Sequence, residues 1–214
     1  MKRISLFIFD LDGTLIDSKR DIASSVHHTM KILGLPPIAD EVIHSFVGNG
    51  VTPLIQQSVE TTGAVNFQEA LTIFQEHYQA HCIDTTRSFP GILEIIRHFE
   101  KTPKVVITNK SQGFSDTIIE GLGLTSSFIG VYGGDTKFPK KPDPTLVHHL
   151  LQSIGAAPES AVIIGDSRVD IETGKNAGIM TCGVTWGFRP KEELVESRPD
   201  YLIDRPENLT KIFR

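Results

Sequence analysis

Short apolar segments alternate with helical patterns along most of this 214-residue chain, and this alternation limits the folds open to it. The segments LFIF at 6–9, KVVI at 104–107 and AVIIG at 161–165 are apolar or nearly so throughout, rather than at every second position. Such strands must be covered on both faces, as in parallel sheets flanked by helices. The pattern therefore predicts the α/β class, with a doubly wound parallel sheet.

Residues 17–84 interrupt this alternation. The segments KRDIASSVHHTMKILG, DEVIHSFVG, TPLIQQSVETTG and NFQEALTIFQEHYQAH carry apolar residues at helical spacing, and no strand pattern lies between them. We therefore predict a small all-helical insertion at 17–84, after the first strand. Residues 1–16 and 85–214 would then form the α/β core.

Composition narrows the classes of partner. The formal net charge is −5 with no long run of one sign, which argues against nucleic acid and anionic membranes. The N-terminal apolar stretch ends at Asp10, too early for a signal peptide, and no later run is long enough to span a membrane. Two cysteines, Cys82 and Cys182, are too few for a disulfide scaffold. We expect a cytoplasmic protein.

Polar residues follow the strands at the points where they end. In an open parallel sheet, ligands bind beyond the carboxyl ends of the strands, so these residues should converge at one edge. They are Asp10, Asp12 and Gly13 after the first strand, Thr108, Asn109 and Lys110 after the next, then Lys140 and Lys141, and finally Asp166 and Asp170.

Converging carboxylates repel one another unless a cation lies between them, and a set of oxygen ligands suits Mg²⁺. A lysine and a hydroxyl in the same place can hold the oxygens of a phosphoryl group. Gly13 would allow a phosphate to approach the backbone closely. One carboxylate can attack phosphorus, and a second can transfer the proton. The pattern predicts phosphoryl transfer.

Four motifs in order carry a resemblance to a known family. DLDGTL at 10–15, ITN at 107–109, the Lys-Pro at 141–142 and GDSRVD at 165–170 resemble the motifs of the haloacid dehalogenase superfamily of phosphatases. The resemblance covers essentially the whole chain. It implies that the insertion at 17–84 is a small all-helical cap domain over a Rossmann-like catalytic core formed by 1–16 and 85–214. The dehalogenases of that superfamily lack the second aspartate, Asp12, so the resemblance implies a phosphatase.

The family's functional residues can be placed on this chain through those motifs. The resemblance implies these roles: nucleophile and Mg²⁺ ligand for Asp10, general acid/base and backbone Mg²⁺ ligand for Asp12, phosphate binding for Thr108 and Asn109, charge neutralisation for Lys141, and Mg²⁺ ligation for Asp166. Asp170 matches the second acid of the metal site, which acts on Mg²⁺ directly, through water or through the lysine.

The substrate follows from a second, narrower resemblance. VGNGVTPLI at 47–55 is similar to the cap loop of phosphoglycolate phosphatases, and Asn49 between its glycines is a candidate contact for a small carboxylate. The implied reaction converts 2-phosphoglycolate to glycolate and phosphate. Alternatives are a phosphatase for pyrophosphate, a nucleoside monophosphate or a sugar phosphate, a phosphomutase, or a non-catalytic binding module. The sequence leaves open the role of Arg189-Pro190 and the choice between monomer and dimer.

Overall fold

A parallel sheet forms the centre of the molecule in the computed structural model, which describes residues 1–63 and 66–214. The strands are β1 Leu6–Phe9, β2 Ile16–Asp17, β3 Arg87–Ser88, β4 Lys104–Ile107, β5 Gly130–Tyr132, β6 Ala161–Gly165, β7 Met180–Val184 and β8 Tyr201–Ile203. Within the described ranges, six of them form one sheet in the order β5-β4-β1-β6-β7-β8, and every neighbouring pair is parallel. The predicted α/β class and parallel sheet are confirmed.

The helices lie between the strands and in one long insertion. They are α1 Lys19–Ile32, α2 Asp40–Phe46, α3 Val51–Thr62, α4 Phe67–His81, α5 Ile92–His98, α6 Gln112–Gly121, α7 Thr145–Ile154, α8 Arg168–Ala177, α9 Lys191–Ser197 and α10 Leu209–Ile212. No helix within the described ranges combines the length and the apolar character needed to cross a bilayer.

A short ribbon joins the insertion to the rest of the chain. Strands β2 and β3 pair antiparallel, with Ile16 opposite Ser88 and Asp17 opposite Arg87, and α1 to α4 lie between them. The sequence did not predict this ribbon, because strands of two residues are too short to show a periodic pattern. The helices fall where the pattern placed them, whereas the division into domains at 16/17 and 84/85 stays a prediction.

Strand β1 shows why the sheet is apolar throughout. Its side chains alternate between two buried clusters, with Phe7 and Phe9 in one and Leu6 and Ile8 in the other. Burial of each such side chain stabilises the fold by about 1.5–3 kcal/mol. The ring of Phe7 packs against Phe99 with centroids 4.6 Å apart. Both faces of the sheet are therefore covered by helices.

The register of the sheet brings three strand ends together. Phe9 lies beside Val106 of β4 and beside Ile164 of β6, so the residues that follow these strands are neighbours at one edge. Since β1 lies between β4 and β6, Asp10 occupies the centre of this edge.

Candidate active site

Three buried carboxylates and one lysine form the centre of the site. Asp10, Asp166 and Asp170 each place an oxygen within 4.8 Å of the others. The Lys141 ammonium lies 2.8 Å from Asp10 Oδ1 and 2.6 Å from Asp170 Oδ1. One ammonium against three carboxylates leaves two negative charges uncompensated when all are ionised. The donor set therefore fits a divalent cation that prefers oxygen ligands, such as Mg²⁺.

The electrostatics of this cluster point the same way. Burial raises the pKa of Asp10 to about 7, with Lys141 opposing the shift and Asp170 adding to it. Burial, and then the charge of Asp10, raise the pKa of Asp166 well above its usual value. Burial alone would lower the pKa of Lys141, but the two carboxylates outweigh it and keep the ammonium charged. The carboxylates thus favour the uptake of a proton or a cation.

The individual oxygens differ in how far they are engaged. Asp170 Oδ2 accepts hydrogen bonds from Ser167 N at 3.1 Å and Ser167 Oγ at 2.6 Å, while Oδ1 contacts Lys141. Asp166 Oδ2 accepts one from Phe188 N at 2.6 Å. Within the described chain, Asp10 Oδ2 and Asp166 Oδ1 make no hydrogen bond. These two oxygens are the ones most open to an ion.

Asp12 has its own cation, Lys110. The Lys110 ammonium lies 3.0 Å from both Asp12 oxygens, and Ser18 Oγ donates to Asp12 Oδ1 at 2.5 Å. Lys110 was among the strand-end residues in the sequence, but neither the pattern nor the family motif assigned it a role. Its position directly after Thr108 and Asn109 is the signal that could have identified it.

Thr108 and Asn109, both predicted phosphate contacts, occupy different positions. Thr108 lines the cavity over the carboxylates, and its hydroxyl accepts from Lys110 N at 3.2 Å. The Asn109 amide instead binds the main chain: it accepts from Lys141 N at 3.0 Å and donates to the carbonyls of Lys141 and Gly48, each at 3.2 Å. Asn109 therefore fixes the loop that carries Lys141, and its contact with phosphate stays a prediction.

Gly13 is needed for close packing at the site. Its φ is +83°, and a Cβ there would lie 2.2 Å from Asp166 Oδ2. Its backbone N–H donates to the Ile16 carbonyl at 2.9 Å. Since this donor is engaged, the predicted part of Gly13 in phosphate binding is not visible in the geometry and stays a prediction.

The cap covers the carboxylates and leaves a small cavity of about 50 Å³. Gly48, Gly50, Val51, Leu54 and Phe74 of the insertion line it opposite the aspartates. Asn49 does not line this cavity, because its side chain is exposed and faces a neighbouring depression beside Arg168. Contact between Asn49 and a substrate carboxylate stays a prediction.

Proteins similar to this chain belong to a class that agrees with the geometry of the site. Residues 7–184 match the family described as haloacid dehalogenase-like hydrolase. A phosphoglycolate phosphatase of Aquifex aeolicus is 35% identical over 211 residues, covering 97% of this chain and 96% of that protein. Another from Pseudomonas putida is 32% identical over 209 residues, covering 93% and 76%.

Solved structures agree with these sequence relatives. The crystal structure of a predicted phosphoglycolate phosphatase from Haemophilus somnus superimposes with a TM-score of 0.94 at 26% identity, covering 98% of this chain and 97% of that one. A haloacid dehalogenase-like hydrolase from Streptococcus pneumoniae gives 0.86 at 30% identity, covering 98% of both chains. Because the match to this family covers most of the chain, the chain belongs to the haloacid dehalogenase-like hydrolases.

Proposed function

We propose that the protein is a Mg²⁺-dependent phosphatase that hydrolyses a small phosphate monoester, 2-phosphoglycolate first among them, to glycolate and phosphate. The observation that carries this proposal is the convergence of Asp10, Asp166 and Asp170 around Lys141, with Asp12 at the same strand end. The names of the sequence relatives support the choice of substrate.

In the first half-reaction, an oxygen of Asp10 attacks phosphorus and the bond from phosphorus to the ester oxygen breaks. Asp12 gives its proton to that oxygen, so glycolate leaves and Asp10 becomes an aspartyl-phosphate. The Lys141 ammonium and the Thr108 hydroxyl are close enough to Asp10 and to the cavity to hold the phosphoryl oxygens.

In the second half-reaction, Asp12 is a carboxylate and takes a proton from water. The hydroxide that results attacks phosphorus, phosphate is released and the Asp10 carboxylate is regenerated. Asp10, Asp166 and the backbone carbonyl of Asp12 would hold Mg²⁺, with Asp170 beside them. When bound there, Mg²⁺ would offset the negative charge of the carboxylates and of the phosphoryl group.

The closed cap favours small substrates. The cavity of about 50 Å³ between the cap and the carboxylates favours a small ester, and movement of the cap would admit the substrate and then exclude water. A two-carbon ester would need the least space beside the carboxylates. Larger esters would need a more open cap during the chemical step.

The test is phosphate release with Mg²⁺ from 2-phosphoglycolate, pyrophosphate, sugar phosphates and nucleoside monophosphates, with wild type beside Asp10→Asn. The exposed Asp204→Asn is the matched control. We expect one dominant kcat/KM, for 2-phosphoglycolate, and no turnover by Asp10→Asn. Normal activity in that variant would overturn the covalent mechanism. Similar kcat/KM values for all the esters would support the phosphatase chemistry without identifying the substrate. No phosphate release from any ester would favour a binding module.

A further inference from the structure

Lys110 is a buried cation at the active site for which the proposed mechanism has no use. Its side chain is 7% exposed and lies at the carboxyl end of β4. Lys141, a different residue from a different loop, already contacts Asp10 and Asp170. The structure therefore places one lysine on the nucleophile and a second on the residue proposed to transfer the proton.

The surroundings of Lys110 engage its ammonium on two sides. Both Asp12 oxygens lie 3.0 Å from Nζ, and the ring of Tyr78 lies below it with its centroid at 4.7 Å. Tyr78 belongs to α4 of the cap, whereas Asp12 and Lys110 belong to the core. An ammonium has three donors and two point at Asp12, so Lys110, which lines the cavity, keeps one donor that does not contact Asp12.

The carboxyl group of Asp12 is correspondingly restrained. Both of its oxygens accept hydrogen bonds from the Lys110 ammonium, and Oδ1 also accepts one from the Ser18 hydroxyl. Ser18 precedes the first residue of α1, so this contact comes from the start of the cap. A carboxyl group held from two directions has one orientation toward the reacting phosphorus, and proton transfer requires such an orientation.

We infer that Lys110 is a positioning residue for this reaction: it fixes the Asp12 carboxyl group for proton transfer to the leaving oxygen, while the Tyr78 ring of the cap packs against it. This inference rests on the proposed phosphatase function. As the bond from phosphorus to the ester oxygen breaks, the proton passes from Asp12 to that oxygen. The Asp12 carboxylate left behind then lies against the Lys110 ammonium.

A comparison of leaving groups tests this inference. Ethyl phosphate and 2-phosphoglycolate release alkoxides that need a proton, whereas acetyl phosphate is equally small and releases acetate, which departs without one. The measured quantity is kcat/KM, since it covers the steps up to departure of the leaving group. The variants are Lys110→Met, Lys110→Arg and, as control, Lys137→Met, an exposed lysine that also lies over an aromatic ring, that of Phe138.

We expect Lys110→Met to lower kcat/KM about tenfold or more for both alkyl esters and to leave acetyl phosphate within about threefold, because general acid catalysis contributes ~10²–10⁴-fold. Lys110→Arg should recover part of the loss, and Lys137→Met should match wild type. In an Asp12→Asn background, Lys110→Met should add little, since both changes remove the same proton transfer.

Other outcomes separate the alternatives. An equal loss on all three substrates would overturn the inference in favour of a purely structural role. A loss confined to 2-phosphoglycolate would instead make Lys110 a ligand of the substrate carboxylate. If wild type releases phosphate from none of the three, the proposed function fails; if wild type is active and Lys110→Met equals it, only the inference fails.

Discussion

Arg189 of the core donates a hydrogen bond from Nη1 to the carbonyl oxygen of Ser45 in the cap, over 2.7 Å. Its Nη2 also contacts the Val47 carbonyl, so one guanidinium holds the chain at the end of α2. The preceding residue, Phe188, donates its backbone N–H to Asp166. A single core loop thus contacts both the acidic cluster and the cap.

Replacing Arg189 should weaken cap closure. Hydrogen bonds from a charged donor are each worth about 1.5–3 kcal/mol when buried, and in this half-buried loop we expect about 1 kcal/mol in total. Arg189→Met should therefore lower kcat/KM about fivefold, equally for 2-phosphoglycolate and acetyl phosphate, since both need a closed cap. The control is Arg168→Met, whose guanidinium makes one long surface contact of 3.6 Å to Glu196. Unchanged kinetics in Arg189→Met would show that the contact does not contribute to closure.

Asp21 joins the two chain segments that connect cap and core. Its buried carboxylate accepts hydrogen bonds from the backbone N–H groups and hydroxyls of Thr85 and Thr86, at 2.7–3.0 Å. Burial alone would raise the pKa of Asp21, but these hydrogen bonds outweigh it and lower the pKa below 3.8. Asp21 is therefore ionised at neutral pH and holds the start of α1 against the return strand.

Loss of the Asp21 carboxylate should destabilise this junction. Asp21→Ala leaves the donors of Thr85 and Thr86 without their acceptor, and we expect the free energy of unfolding to fall by about 3 kcal/mol. Asp17→Ala, in the same connecting segment but exposed, should change it by less than about 1 kcal/mol. Urea denaturation measures both. Equal midpoints for the two variants would contradict the prediction.

The sequence predicted the parts of this site that depend on strand ends. Three of its residues directly follow apolar strands: Asp10, Thr108 and Asp166. A parallel sheet brings such residues to one edge, independently of the conformation of the loops. The sequence did not predict the contact between Lys110 and Asp12, because it depends on the conformation of a long side chain. Burial against Tyr78 of a distant helix, rather than local sequence, directs that side chain toward Asp12.

The contacts of two asparagines were also beyond what the sequence could predict. Asn49 and Asn109 stand where the motifs suggest substrate contacts, but the sequence cannot show which polar group an amide will meet. Asn109 meets the backbone of Lys141 and Gly48, because the loops that carry these two residues pass beside the end of β4. Backbone partners of this kind carry no signal in the side chains of the sequence.

Three stacked histidines on the cap predict a pH-dependent stability. The His77 ring lies 4.0 Å from His28 and 4.3 Å from His81, measured between centroids. Burial and then these two neighbours lower the pKa of His77 below 6.5, with Asp84 opposing. As pH falls through 6.5, the unfolded chain takes up this proton first, so the native state loses stability until the pH reaches the lowered value.

His77→Gln should reduce this dependence. The raised pKa of Asp10 acts in the opposite direction in the same pH range, so the measured quantity is the difference between the two proteins. Between about pH 7.5 and about pH 5.5, the urea midpoint of wild type should change less favourably than that of His77→Gln. His148→Gln, an exposed histidine on α7 of the core, controls for the replacement of one histidine by glutamine. If the two variants show the same dependence on pH as wild type, the stacked histidines do not cause it.

The proposed Mg²⁺ site predicts which aspartates hold the cation. At about one hundred times its Kd, a ligand stabilises the native state by about 2.7 kcal/mol, so Mg²⁺ should raise the Tm of wild type and EDTA should reverse the rise. Asp166 has an oxygen without a hydrogen bond among the described residues, whereas both oxygens of Asp170 are engaged by Ser167 and Lys141.

We therefore expect Asp166→Asn to lose most of the Mg²⁺-dependent rise in Tm. Asp170→Asn should lower the Tm without Mg²⁺, because it removes one of the two carboxylates that contact Lys141 and weakens the capping box at the start of α8, yet keep much of the rise. Titration of each variant with Mg²⁺, followed by thermal unfolding, gives the Kd directly and does not depend on activity. An equal loss of Mg²⁺ affinity in both variants would make Asp170 a direct ligand. If Asp170 only orients Lys141 and the start of α8, its replacement should lower the affinity less than that of Asp166.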